Sequence, residues 1–245
     1  MANSSLVSTA YANGEVVFRG ITQADIGTLY QANVRVVGNN SHVQCSGQSL
    51  KVRKGSHQNL TLVLAAGTNY DQSKGDAAHN YSFRGEDPDL YVQQAASKAS
   101  KKSRAALLDA HLQDYGELFS AFTLSLPDTR NSSKLETEAL VTRYLANDTS
   151  GDPYLESLTF HFARYLFISS SREGSLPPNL QGKWATKLTN AWSADYHANI
   201  NLQMNHWHAD QTGLGSLQTP LWDYMAQSWV PRGAETAKLL YNASG

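Results

Sequence analysis

The chain has 245 residues, with 20 Lys and Arg against 21 Asp and Glu, so its formal net charge is −1 and only 17% of its residues are charged. Uncharged polar side chains take the place of the missing charges, since 72 residues are Ser, Thr, Asn or Gln. Nucleic acids and anionic membranes select clustered Lys and Arg, so neither is expected as a partner. Neutral polar ligands fit this composition better.

The sequence also bears on cellular location. No stretch approaches the length of apolar residues that a membrane span needs. Seven Asn-X-Ser/Thr sequons begin at Asn3, Asn39, Asn59, Asn80, Asn131, Asn147 and Asn242, where about three would arise by chance in a chain of this composition. The excess predicts a secreted glycoprotein. The first residues lack a basic start and an apolar run, so no signal peptide is recognised, and we expect this N-terminus to differ from that of the mature parent protein. Cys45 is the single cysteine and leaves the redox compartment open.

The first part of the chain is rich in strand-forming residues. Short runs with β-branched, aromatic or alternating residues are separated by Gly, Asn and Ser, and they cover Val16–Arg19, Gln31–Val37, Ser49–Val52 and Leu60–Leu64. Regular turn residues between such runs are typical of an antiparallel β-sandwich. Nothing in this segment suggests catalysis.

The second part of the chain has helical periodicity. From Asp87 to Phe119 the spacing of apolar residues predicts a linker helix, or a pair of helices, leaving the sheet. Further helices are predicted over Leu135–Leu145, Tyr154–Ile168, Leu202–Ala209, Leu221–Trp229 and Gly233–Tyr241, with Pro231 separating the last two. A β domain followed by successive helices indicates an α+β chain with two domains.

Aromatic and amide side chains are concentrated near the C-terminus. All five Trp residues lie after residue 183, among many Asn, Gln and His residues. A sugar offers apolar C–H faces to aromatic rings, and its hydroxyls donate and accept hydrogen bonds, which Asn and Gln can match. Core packing is an equal interpretation for Trp222 and Trp229.

Two motifs in this part resemble those of a known family. Leu176–Trp184 reads LPPNLQGKW, and residues 193–207 read SADYHANINLQMNHW. Both are similar to hallmark motifs of glycoside hydrolase family 95, the inverting α-L-fucosidases, and look most like those of its fungal members. Residues 111–119 (HLQDYGELF) and 162–172 (FARYLFISSSR) support the resemblance.

The resemblance implies a fold and a domain order. Residues 1–86 would be the C-terminal part of a β-sandwich, 87–133 a helical linker, and 134–245 the first part of an (α/α)6 catalytic barrel. The family's general acid Glu and partner Asp are expected beyond Gly245, so no acid is assigned here. We therefore expect a piece of a longer protein, which on its own would be poorly soluble or molten.

The resemblance also implies site residues and a substrate. Asn199 and Asn201 would hold and activate water, with an aspartate polarising the asparagine, because a neutral amide is a weak base unless a carboxylate pulls on its N–H side. Residues two apart share a face only in extended chain, so 198–202 is expected to be extended or irregular at a helix entrance. The substrate would be a fucosylated oligosaccharide or glycan. Composition and closeness to the two motifs, rather than the resemblance, predict sugar contacts for Gln181, Trp184, His197, Asn205 and Trp207. No cofactor and no metal ion is expected.

Several alternatives remain open. A conventional inverting hydrolase would use Asp195 and Asp210 as its carboxylate pair. A metal site could be built from His197, His206 and His208, although in a helix the last two rings would point about 200° apart. The chain could be an inactive or purely carbohydrate-binding fragment, or act on a related sugar such as an α-L-galactoside. Arg164 and Arg172 are expected to fix helix ends or pair with carboxylates.

Overall fold

The structure is a computed structural model that describes residues 8–12, 15–37, 43–46, 49–52, 60–145, 150–184, 191–196 and 198–244. It is an α+β chain, as the sequence predicts. Two compact units can be distinguished: one contains Met1–His111 and Ala226–Gly245, and the other contains Leu112–Met225. None of the described helices combines the length and apolar character that would let it cross a membrane.

The first unit contains an antiparallel sheet. Its strands are β1 (Ser8–Ala12), β2 (Glu15–Ile21), β3 (Leu29–Val37) and β6 (Thr61–Thr68), paired in the order β1-β2-β3-β6, while β4 (Val43–Ser46) and β5 (Ser49–Val52) form a separate hairpin. The four predicted strands and their antiparallel pairing are confirmed. The sequence analysis missed β1 and β4, because these short runs lack the repeated β-branched pattern that marks a strand.

One face of this sheet is covered by α1 (Asp89–Ser100), which packs on β3 and β6. This corrects the expectation that the helix leaves the sheet. Val92 and Ala96 of α1 are fully buried, and a Cβ on Gly67 of β6 would lie 3.0 Å from Val92 Cγ2. A larger residue at this strand position would therefore push the Val92 side chain away by a few tenths of an ångström.

The covered face is unusually polar. Gln31 and Asn33 of β3 are buried, and Gln31 Nε2 donates to Asn33 Oδ1 at 3.0 Å and to Asp89 Oδ1 at 2.6 Å. Arg19 Nη1 donates to Gln31 Oε1 at 2.7 Å and also pairs with Asp87, and that hydrogen bond lowers the pKa of the Asp87 carboxyl. Hydrogen bonds thus join the sheet to the segment that begins α1.

The opposite face of the sheet is apolar and open. Because side chains alternate along a strand, Phe18, Leu62 and Leu64 point away from the α1 side, and their exposures are 40%, 55% and 66%. A second sheet packed here would complete a sandwich, which stays a prediction.

Helices make up most of the remaining chain. They are α2 (Arg104–Phe119), α3 (Thr137–Leu145), α4 (Pro153–Ser170), α5 (Asn201–His206), α6 (Thr219–Tyr224) and α7 (Val230–Tyr241), with a π-helical turn at Met225–Trp229. Short 3-10 turns cover Gln72–Lys74, Ala77–His79, Ser132–Lys134, Ala191–Ala194, Asp210–Thr212 and Gly215–Gln218. The predicted helices exist, with shifted ends.

The predicted break at Pro231 is wrong. Pro231 lies in the first turn of α7, which begins at Val230. Because α6, the π-helical turn and α7 follow one another without a gap, the chain stays helical across Pro231, which lacks only its own N–H hydrogen bond. The irregularity comes earlier, in the π-helical turn.

The core of the second unit forms where α4 meets the turns after α5. Phe167 and Ile168 of α4 are buried with Ala209, Leu214 and Leu217. The start of α4 is capped by Asp152, whose Oδ1 accepts from Leu155 N at 3.2 Å. The same carboxylate pairs with Arg143 of α3 and accepts from Ser132 Oγ. These contacts fix α4, on which one wall of the candidate site is built.

Candidate functional site

The first motif forms a loop directly after α4 that is fastened at several points. Pro177 and Pro178 are buried, and Lys183 Nζ donates back to the carbonyl of Leu176. Tyr196 of the second motif donates its hydroxyl to the Pro177 carbonyl at 2.7 Å. The two motifs, separated along the chain, are therefore brought together by the fold.

A cavity of about 600 Å³ lies between α4, this loop and α5. Its volume falls within the usual range for small-molecule sites. The lining residues are Ala163, Leu166, Phe167, Ser170, Pro178, Asn179, Leu180, Gln181, Gly182, Lys183, Trp184, Met204, Asn205 and His208. One side is apolar and formed largely by α4, and the other carries amide and imidazole groups. Trp184 is 95% exposed, so its ring faces solvent.

Three polar atoms of the lining residues are buried and have no hydrogen-bond partner among the residues that the structure describes. They are Asn179 Oδ1, Gln181 Oε1 and His208 Nε2. A buried polar atom without a partner costs about 1–3 kcal/mol, so two amide acceptors and one ring nitrogen around one cavity call for a ligand or water that forms hydrogen bonds with them. A ligand with several neighbouring hydroxyls would meet this need.

The two described histidines after the asparagine pair lie in surroundings that disfavour the charged form of the ring. Burial lowers the pKa of both rings, and the Arg164 charge lowers the pKa of His208 further. His206 Nδ1 lies 2.8 Å from the Leu202 carbonyl, which can only accept, so Nδ1 carries the proton and Nε2 is left as an acceptor. A neutral imidazole both donates and accepts, which suits a hydroxyl ligand.

These histidines do not diverge as the helical spacing predicted. Because α5 ends at His206, both rings contact Phe167, with centroid distances of 5.2 Å for His206 and 5.1 Å for His208. His197 lies outside the described residues. Within the described part of the chain, no group of three or more His, Cys, Asp or Glu side chains could hold a metal ion.

Arg164 acts within the scaffold of the site, as the sequence predicts. Its guanidinium is fully buried on α4 and donates to the carbonyls of Phe119 at 2.9 Å, Phe122 at 3.1 Å and Thr212 at 3.1 Å. The prediction for Arg172 is also confirmed, since it pairs with Asp114. Arg164 thus joins the end of α2, the next turn and the turn after α5.

The asparagine pair stands at the entrance of α5. Residues 198–200 form a turn, as expected, but Asn201 and Leu202 already belong to α5, so the expected irregular segment of 198–202 is shorter than predicted. Gln203 Nε2 donates to the Ala198 carbonyl at 3.1 Å and holds this turn. Asn199 is exposed and Asn201 is half-buried. Neither asparagine belongs to the lining of the cavity.

Of the other predicted site residues, some line the cavity and some do not. Gln181, Trp184 and Asn205 line the cavity, whereas Trp207 is 58% exposed and does not. Asp195 and Asp210 lie outside the lining, and Asp210 Oδ1 accepts from Gln218 Nε2 at 2.9 Å. The fold therefore gathers three of the predicted sugar contacts.

Two lining residues were missed. Asn179 and His208 carry unpartnered buried atoms, but neither was predicted as a contact. Asn179 lies in the same motif as Gln181, two residues before it. This position could have indicated that Asn179 also lines the cavity. His208 faces the cavity because α5 ends at His206. The spacing of residues along the chain does not show where a helix ends.

Comparisons with known proteins give a consistent result. Residues 103–245 match the model of the glycosyl hydrolase family 95 catalytic domain. The chain is 52% identical over 228 residues to a protein named probable alpha-fucosidase A of Aspergillus niger, which covers 92% of this chain and 28% of the relative. It is 54% identical over 196 residues to the protein of the same name in Aspergillus oryzae, covering 80% and 27% of the two chains.

A plant relative shows the same similarity at greater distance. Alpha-L-fucosidase 2 of Arabidopsis thaliana is 35% identical over 220 residues, which cover 86% of this chain and 24% of the relative. The chain thus spans about a quarter of the length of the curated relatives that it matches. Since the family model covers more than half of the chain and the identities extend over most of it, the chain belongs to glycosyl hydrolase family 95.

Proposed function

We propose that the protein containing this chain is a secreted glycoside hydrolase that releases α-linked L-fucose from fucosylated oligosaccharides. The cavity carries the proposal: three unpartnered polar atoms and an exposed indole surround one space inside the region that matches the family 95 catalytic domain. Three relatives are named as fucosidases, which supports the choice of sugar.

The chemistry of the lining suits a sugar ring. Asn179 and Gln181 offer acceptors to vicinal hydroxyls, the ring of His208 can donate or accept at Nε2, and Trp184 offers a flat apolar surface to a C–H face. Because all these groups are neutral, they bind hydroxyls without the desolvation cost of a buried charge. A neutral polar ligand is also what the low charge of the whole chain favours.

The apolar side of the cavity favours fucose over an L-galactoside. Leu166, Phe167 and Met204 present carbon and sulfur atoms, against which the C6 methyl of fucose would lose no hydrogen bond. The C6 hydroxyl of L-galactose would be desolvated there without a partner. One such group changes selectivity by a factor of about 10 to 100.

The proposed mechanism is inverting. Asn199 and Asn201 hold the attacking water, a carboxylate on the N–H side of the amide raises its basicity, and a glutamate protonates the leaving oxygen. Water and acid act from opposite faces of the sugar, so the anomeric configuration inverts. The asparagines stand at the turn before α5, next to the helix that contributes Met204, Asn205 and His208 to the cavity.

A substrate comparison with the full-length parent protein tests the sugar assignment. Equal concentrations of a 1,2-linked α-L-fucoside and the matching α-L-galactoside are incubated with the enzyme, and released monosaccharide is quantified by chromatography. Faster release of fucose supports the proposal, whereas release of galactose alone would replace fucose with the related sugar. No release of either would contradict it.

Two variants locate the binding site. Gln181→Ala should raise KM roughly tenfold, because one hydrogen bond to the sugar is lost. Gln113→Ala is the matched control, since this exposed amide on α2 lies outside the lining and donates to Glu117 of the same helix. An unchanged KM in Gln181→Ala would place the sugar elsewhere.

A carbohydrate-binding role is the second candidate for the 245-residue chain by itself. The cavity contains sugar-compatible groups, but no Asp or Glu is among its lining residues. Without an acid the chain would bind L-fucose and release none. Calorimetric titration of this chain with L-fucose, beside an activity assay, distinguishes binding alone from hydrolysis.

The proposed parent fold has a β-sandwich, a helical linker and an (α/α)6 barrel. The open apolar face of the sheet supports the sandwich, because Phe18, Leu62 and Leu64 need a covering layer. The successive helices α3 to α6 of the second unit support the barrel.

A further inference from the structure

Three sequon asparagines share one backbone conformation. Asn80, Asn131 and Asn242 have φ values of 50°, 53° and 51°, in the left-handed region, and all three are exposed. The other four sequons begin at residues outside the described part of the chain. Asparagine is the residue other than glycine that best tolerates this conformation, so the backbone alone explains the asparagine but not the hydroxyl residue two positions later.

Each of these asparagines contributes to the fold through its backbone. Asn80 N donates to the Ala77 carbonyl at 3.2 Å and ends a 3-10 turn, and Asn242 N donates to the Lys238 carbonyl at 3.0 Å and ends α7. Asn131 immediately precedes the turn Ser132–Lys134. No side-chain hydrogen bond joins any of the three to another described residue, so a group attached to Nδ2 would displace no contact of the fold.

Asparagines outside sequons behave differently. Asn33 is buried and its Oδ1 accepts from Gln31 Nε2 at 3.0 Å, while Asn69 Oδ1 accepts from Leu29 N at 2.8 Å. Asn179 lines the cavity. None of these three is followed two residues later by Ser or Thr. Among these six asparagines, the buried or bonded side chains have no sequon and the exposed, unbonded side chains have one; Asn199, at the entrance of α5, is exposed without a sequon.

We propose that Asn80, Asn131 and Asn242 carry N-linked glycans in the parent protein. In the reaction, Nδ2 forms a bond to C1 of the first N-acetylglucosamine of a lipid-linked oligosaccharide. The bond from C1 to the lipid diphosphate breaks, the diphosphate leaves with the electron pair, and the amide loses one proton. The secretory pathway supplies this donor, so the inference rests on the proposed secretion but not on the proposed catalysis.

Peptide mass spectrometry of the parent protein from its source organism is the test. A glycosidase that converts each glycosylated Asn to Asp is applied in heavy-oxygen water, and labelled peptides identify occupied sites. We expect label at Asn80, Asn131 and Asn242. Peptides that contain these residues as unmodified Asn would overturn the proposal, whether the protein is secreted or retained in the cell. Fucose release is assayed separately, so failure here leaves the catalytic proposal standing.

Paired substitutions separate the glycan from the backbone conformation. In the parent protein secreted from yeast, Ser82→Ala and Ser244→Ala should each remove one glycan and increase gel mobility by one step, while Ser82→Thr and Ser244→Thr keep it. Asn131→Gly removes the acceptor at the third site and keeps the left-handed backbone. Unchanged mobility in the Ala and Gly variants would contradict occupancy.

Discussion

Arg164 carries a buried positive charge that is bound mainly by backbone oxygens. Its guanidinium donates to carbonyls of Phe119, Phe122 and Thr212, and its Cζ lies 5.0 Å from the centroid of the Phe119 ring. Burial lowers the pKa of this group. The sequence predicts that Arg164 fixes a helix end or pairs with a carboxylate. It does not predict that Arg164 joins three separate segments, because that depends on tertiary contacts.

Replacing Arg164 should destabilise the protein strongly. In Arg164→Met the carbonyls lose a charged donor while remaining buried, and we expect a loss of about 3 kcal/mol in the free energy of unfolding. The measurement is the apparent melting temperature of the parent protein. Arg172→Ala is the control: its ion pair with Asp114 is exposed, so its loss should cost at most about 1 kcal/mol. Equal shifts for both variants would contradict the structural role of Arg164.

The neutral histidines should make stability depend on pH. Burial lowers the pKa of His206 and His208 in the folded chain. A histidine whose pKa is lower when folded contributes its full stability above about pH 6.5, and the contribution is lost as pH falls from there towards the folded pKa. The apparent melting temperature should therefore fall below about pH 6.5, before the carboxylates titrate. His208→Gln should flatten this part of the curve, and an unchanged slope would contradict a neutral His208.

Secondary-structure elements were predictable where a single pattern governs them. The strands with β-branched residues and the helices with repeated apolar residues were found within a few residues, whereas β1 and β4 were missed. The error at Pro231 has a different cause, because the chain stays helical across this proline, which lacks only its own N–H hydrogen bond. The site could also be predicted only in part. The loop from Leu176 to Trp184 was predicted to belong to it, but Asn179 and His208 were not predicted to contact the sugar.

Gly213 lies where two turns of the second unit approach each other closely. Its φ is 71°, and a Cβ added there would lie 2.8 Å from Ala121 Cβ and 3.3 Å from the Ala121 carbonyl oxygen. Gly213→Ala should therefore combine backbone strain with a steric clash and cost about 2–4 kcal/mol. Gly174→Ala is matched in φ, at 73°, with no described atom within 4 Å of its added Cβ, and should cost only about 1–2 kcal/mol.

Thermal denaturation of the two glycine variants in the parent protein gives the comparison. A larger fall in the apparent melting temperature for Gly213→Ala is expected, because only this variant meets a neighbouring turn. Equal falls in the melting temperature of the two variants would mean that the close approach to Ala121 does not affect the stability of Gly213→Ala.

At the scale of the whole chain, large apolar surfaces lie open in each unit. The sheet exposes Leu62 and Leu64, and α4 exposes Phe162 and Tyr165 at 54% and 46%. Exposed apolar areas of this kind mark surfaces that pack against other parts of a protein. They agree with a chain that spans about a quarter of its relatives.

The 245-residue chain expressed alone should therefore bind hydrophobic dyes and unfold without a sharp transition. Its open sheet face and helix faces would keep secondary structure but lack fixed tertiary packing. Dye fluorescence and scanning calorimetry measure both properties. A single cooperative transition without dye binding would show that the chain is stably folded without further protein packed on its exposed apolar surfaces.

The stereochemistry of fucose release tests the central claim most directly. The full-length parent protein is mixed with a 1,2-linked fucosyl oligosaccharide, and the first anomer of free fucose is followed by proton NMR before mutarotation. The account predicts that β-L-fucose appears first, and that Asn201→Ala slows its release at least about 100-fold. Initial release of α-L-fucose, or undiminished release by Asn201→Ala, would contradict hydrolysis by asparagine-activated water.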